Sequence, residues 1–165
     1  MNQKLVIGYG NPDRQDDGVA WHVLHTLAAR LDLPAPDSYE DDFTPNDRLD
    51  FIFTLQMTPE MAEQIAPIER VCFVDAHTGS IAEKVQLVPV ESQFQHSPFT
   101  HHLTAQSLLS MCQSLYGKPP LAALLSVRGY QFEFERQLSP ETAALVPEAL
   151  ERIVGWMGEE NVTLL

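Results

Sequence analysis

Two carboxylates and an imidazole stand where apolar runs of the chain give way to loops. Asp17 closes LVIGYGNPDRQDDG (residues 5–18), Asp75 ends VCFVD, and His101 lies in THHL. Two carboxylate oxygens and one imidazole nitrogen, with positions left open for water or substrate, suit a borderline divalent ion such as nickel or zinc. A charged group at the mouth of a buried strand is costly without a partner, which marks Asp75 first. Asp16 has two readings: a helix N-cap, or a helper that orients water or a ligand. None of the six histidines forms H-E-x-x-H, so the zinc-protease helix is not evident.

Plainer readings stand beside these. His101 and His102 precede a helical pattern, where a histidine is often a surface or capping residue. His22 and His25 fall on a helical stretch, as packing or solvent-facing residues. His77 follows Asp75 by two residues, as a supporting hydrogen-bond donor or a turn residue, and His96 carries no further signal. Gly8-x-Gly10 after an apolar run is half of a dinucleotide fingerprint. The third glycine is missing at the fingerprint spacing, Asp13, Asp16 and Asp17 would repel phosphate, and no Gly-Lys-Ser/Thr follows.

The elements that must position these groups are readable from periodicity. Residues 5–7 form a strand, and Gly8, Gly10 and Asn11-Pro12 turn the chain. Val19, Val23, Leu24, Leu27 and Leu31 recur at helical spacing until Pro34 and Pro36. Residues 37–50 hold six acids against Arg48 alone and read as a solvated loop or weak edge element. A strand at 51–55 precedes Thr58-Pro59-Glu60, an N-cap, first-turn proline and acid for a short helix through Ile65. Strands follow at 71–75 and 85–90, close enough to pair as a hairpin. Leu103, Leu108, Met111, Cys112 and Leu115 mark a helix ended by Gly117. A strand at 121–127 and a helix from Ser139-Pro140-Glu141 to about Met157 complete the chain, with Pro147 dividing that helix near Val146.

The order βαβαββαβα predicts an α/β fold: one three-layer domain over residues 1–165, a mainly parallel five-stranded sheet with helices on both faces. The 85–90 strand is the candidate for an antiparallel member. In such sheets ligands bind beyond the carboxyl ends of the strands, where Asp17 and Asp75 fall.

A length of 165 residues suits one domain. Ten Lys and Arg against 23 Asp and Glu give a formal net charge of −13, which disfavours nucleic acid and anionic membranes as partners. The amino-terminal residues lack the apolar core of a secretory signal, and no apolar run reaches the length of a membrane span, so a cytoplasmic protein is expected. Cys72 and Cys112 lie in apolar patterns and read as core, not as a disulfide or thiolate metal site.

Taken together, GYGNPDRQDDG, VCFVDAHTG, THHL (residues 100–103) and LSPETAALVPEAL resemble, in order and through nearly the whole chain, the hydrogenase maturation endopeptidases. The resemblance implies an endopeptidase that removes a C-terminal extension from the precursor of a nickel-iron hydrogenase large subunit after nickel is installed. Asp17, Asp75 and His101 fall on that family's three metal-contacting positions. They would meet nickel carried by the substrate, so nickel is expected from the partner and no organic cofactor is implied. The ion would be both recognition signal and Lewis acid at the scissile peptide. A monomer is the expectation for a protein that must meet a large folded precursor. A non-catalytic nickel-binding chaperone of the same precursor fits these ligands equally, and a nucleotide-binding module is the third reading. Three departures stand out: Asp17 where many relatives carry glutamate, Ala20 for a common glycine, and LQMTPEMAEQI for a Gly-Gly-Thr-type loop. The last resembles the subgroup that serves soluble, cofactor-linked hydrogenases.

Overall fold

The computed structural model describes residues 3–92 and 103–158. Five strands form one sheet: β1 (Lys4–Tyr9), β2 (Asp50–Thr54), β3 (Arg70–His77), β4 (Val85–Val90) and β5 (Leu121–Arg128). They lie in the order β2-β1-β3-β5-β4. The β2-β1, β1-β3 and β3-β5 pairs are parallel and β4 runs antiparallel to β5. The helices are α1 (Val19–Arg30), α2 (Met61–Ile65), α3 (Ala105–Tyr116), α4 (Pro140–Ala143) and α5 (Val146–Met157). A 3-10 turn, Gln15–Gly18, leads into α1.

Strand alternation sorts the core into two layers. Val6, Cys72, Val74, Leu125 and Val127 face one way, against α1 and α5 through Val23, Leu24, Leu27, Ala149 and Ile153. Leu5, Ile7, Val71, Phe73 and Ala122 face the other way, against α2 and α3 through Ile65, Leu108, Leu109 and Cys112. Strands buried on both faces are what the near-continuous apolar runs anticipated. Both cysteines are free and buried, as a packing role requires. Burial pushes the Cys72 thiol up to about 12, far from a reactive thiolate.

Helix ends follow local chemistry. The Thr104 hydroxyl accepts from the Ser107 N–H at 3.1 Å, and Gly117 closes α3 with φ of 89°. Ser139 caps α4. Pro147 falls in the first turn of α5, where its missing N–H costs little, so the expected division at Val146 is present. Among the described residues no helix is long and apolar enough to cross a membrane.

Two local expectations need correction, and a third gains detail. β3 and β4 do not form a hairpin: both edges of β3 are taken, by β1 and β5, so β4 passes to the far edge of β5. Thr58 caps no helix with its side chain. Its carbonyl accepts from the Met61 N–H at 3.1 Å, and α2 starts at Met61 after Glu60. The acidic segment at 37–50 is largely exposed coil, yet Phe43 and Leu49 reach the core, and the Tyr39 hydroxyl donates to Asp13 at 2.7 Å.

Candidate functional site

The loop after β1 folds back on the turn that carries the aspartates. Gly10 has φ of +139°, and a Cβ there would sit 2.1 Å from the Asp17 carbonyl oxygen. A Cβ on Gly18 would lie 2.2 Å from Pro12 Cα. Only glycine permits either approach. The Asn11 N–H donates to Asp17 Oδ2 at 2.9 Å, while Asn11 Oδ1 accepts from the Asp13 N–H at 3.0 Å. The Asp17 carboxylate is thereby fixed at the mouth of β1, and the turn lies against β3.

Asp75 sits in β3 in register with Ser126 of β5. The Ser126 hydroxyl donates to Oδ1 at 2.8 Å and the Tyr9 hydroxyl donates to Oδ2 at 3.0 Å. Each oxygen therefore accepts one hydrogen bond and keeps acceptor capacity for another group. Burial pushes the Asp75 carboxyl above the ordinary carboxylate range; the two hydroxyl bonds and His77 act against that, and the Asp17 charge adds to it. Asp17 and Asp75 thus belong to one electrostatic neighbourhood. Burial, followed by the Asp75 charge, also pushes the Tyr9 phenol well above its usual value, which keeps it a donor.

Asp16 does something else. Fully buried, it accepts from the N–H groups of Tyr130 (2.8 Å), Gln131 (2.9 Å) and Ser139 (2.8 Å), and from the Ser139 hydroxyl (2.6 Å). It caps neither the 3-10 turn nor α1. Burial works to raise its carboxyl, but the Ser139 hydroxyl and the three backbone donors outweigh that and hold it below the ordinary range. Its carboxylate ties the Asp17 turn to the segment between β5 and α4.

His77 is committed to its own loop. Its Nδ1 accepts from the Gly79 N–H at 3.1 Å, so Nε2 carries the proton and donates to the Glu83 carbonyl at 3.0 Å. His22 Nε2 lies 3.1 Å from the Arg136 carbonyl oxygen, and His25 packs on Trp21 with ring centroids 5.3 Å apart. His101, with His96 and His102, falls outside the described residues. Among the described residues no three His, Cys, Asp or Glu side chains form a metal-holding group. What the fold brings together is the turn that carries Asp17 and the strand that carries Asp75.

Sequence reasoning passed over Tyr9, Ser126 and Arg128. Ser126 and Arg128 end an apolar strand, the same signal that selected Asp75. Arg128 stacks over Tyr130, 4.7 Å from guanidinium carbon to ring centroid, and its buried Nε has no hydrogen-bond partner among the described residues. Tyr9 lay inside the glycine turn, where the neighbouring glycines drew the reading.

Fold and site define an α/β protein whose carboxylate pair lies at the carboxyl edge of a mainly parallel sheet. No family model matches the chain, and no curated protein matches it. Solved structures of hydrogenase maturation endopeptidases share its fold over nearly their whole length. Endopeptidase HybD from Escherichia coli superposes with a TM-score of 0.68 at 20% identity, covering 98% of this chain and 94% of that one. A hydrogenase 2 maturation peptidase from a Thaumarchaeota archaeon gives 0.61 at 19% identity, with 95% and 99% covered. The nickel-iron hydrogenase maturation protease HycI from Thermococcus kodakarensis gives 0.58 at 19% identity, with 95% and 91% covered.

Proposed function

We propose that this chain is a processing endopeptidase that removes a C-terminal extension from the nickel-loaded precursor of a nickel-iron hydrogenase large subunit. The observation that supports the reading is the turn of Asp17 packed against the strand of Asp75, in the fold that solved maturation endopeptidases share. His101 completes the proposed ligand set from the segment before α3.

In this reading the ion arrives as part of the substrate. Asp17 and Asp75 repel one another when both are ionised, and a cation between them offsets that repulsion. An empty precursor offers them nothing to bind, so recognition of the loaded form is a difference in affinity. Tyr9 and Ser126 hold the Asp75 carboxylate in one orientation and donate to both of its oxygens in a half-buried place. Bound nickel would polarise the scissile carbonyl. Asp16 contributes by fixing the turn that presents Asp17 and touches no reacting atom.

Mass spectrometry of nickel-loaded precursor after incubation with the protein tests catalysis directly. Loss of a C-terminal segment is the expected result. A stable complex with the precursor mass unchanged would replace the endopeptidase with a chaperone.

A further inference from the structure

Among the described residues β2 has β1 as its one strand neighbour, so the sheet ends there. The Gly10 N–H donates to the Thr54 carbonyl at 3.3 Å, so Thr54 turns its backbone groups toward β1. Alternation along the strand turns the N–H and C=O of Phe51 and Phe53 the other way, off the sheet. A groove of about 430 Å³ follows this border. Leu5 and Ile68 enter it from one apolar layer, Phe43 and Phe51 from the other. A groove reached from both faces of a sheet is the open edge itself.

The chemistry of that edge is one-sided. Asp41, Asp42 and Asp50 line it, and no lysine or arginine does. Edges are commonly blunted by lysine; aspartates here would reject an acidic strand and favour a basic one. A second copy of this chain, with net charge −13, would bring like charge to the contact.

We propose that the β2 edge takes up an extended, basic segment of the protein substrate as an added strand. The proposal rests on the processing reading above and names where the substrate docks. Main-chain bonds to Phe51 and Phe53 would supply affinity, while the apolar floor and the aspartates select side chains. Thr54, at the carboxyl end of β2, bonds to Gly10, which packs on Asp17. A segment laid along β2 is therefore led to the turn that carries Asp17.

The test uses the full chain and a short fluorescent peptide of alternating lysine and valine. Binding is expected, with amide exchange at Phe51 and Phe53 slowed about tenfold or more, and with affinity lost about tenfold or more in Asp41→Lys/Asp42→Lys, whose two sites are exposed. No binding, equal binding of the glutamate-valine counterpart, or unchanged affinity in the variant overturns the proposal. So does protection of Phe51 and Phe53 that rises with protein concentration without peptide, which assigns the edge to a second copy. Processing separates the two claims. Equal KM for precursor in the wild type and the variant removes the edge from substrate docking while the endopeptidase stands. Peptide held at the edge with precursor left whole refutes the endopeptidase while the preference for a basic strand stands.

Discussion

Asp16 is buried and Asp75 half-buried, and their surroundings push the two carboxyls in opposite directions. Asp16 is held low by its donors, so its stabilising contribution is present above the ordinary carboxylate range of about 4 and is lost as pH falls through its lower folded value. Asp16→Asn should cost on the order of 2–3 kcal/mol at neutral pH. Thermal melts against pH are expected to show the variant and wild-type curves converging on acidification. Asp75 is held high, so its ionised form weighs against folding as pH rises through its folded value. Asp75→Asn should keep or raise the melting temperature at neutral pH while precursor processing falls on the order of a hundredfold or more. A structural role would lower both, and parallel melts and processing rates distinguish the cases. Asp16 also marks the limit of local reading. Its position before a helix is a cap pattern, but its partners Tyr130, Gln131 and Ser139 lie 114 to 123 residues along the chain, out of sight of any local rule.

At the scale of elements, alternation and helical spacing made most of the fold legible. Val6 against Leu5 and Ile7, and Cys72 and Val74 against Val71 and Phe73, report two buried faces, and Pro147 reports the break before α5. Strand neighbours were harder. The pattern of β4 says which of its residues are buried but not which edge receives it. That is settled only once β5 has taken the free side of β3. The loop from Gly8 to Gly18 is the element on which the site turns. Gly10→Ala must place a Cβ where the Asp17 carbonyl stands, at a φ that side chains rarely adopt. A loss of about 2–3 kcal/mol is expected from denaturant unfolding, together with loss of processing because Asp17 is displaced.

Over the whole molecule, the parallel sheet gathers what the chain keeps apart. The turn that carries Asp17 lies against β3, the strand of Asp75, because β1 and β3 are adjacent and run the same way, and β2 reaches the same rim through the bond from Gly10 to Thr54. The acidic balance suits a protein that receives a cation and, in the docking proposed for β2, a basic segment. Topology dictates where the carboxyl ends of the strands lie, so Asp17 and Asp75 could be placed near them before any coordinates. Ser126 carries the same strand-end signal, but that its hydroxyl and that of Tyr9 reach Asp75 depends on register between strands. In the function proposed above, nickel in the precursor licenses cleavage through Asp17 and Asp75. That licensing is tested most directly by mass spectrometry of nickel-loaded and nickel-free precursor incubated side by side with the wild-type protein. A C-terminal segment is expected to be lost from the loaded form alone, and equal cleavage of both forms would overturn the role given to nickel.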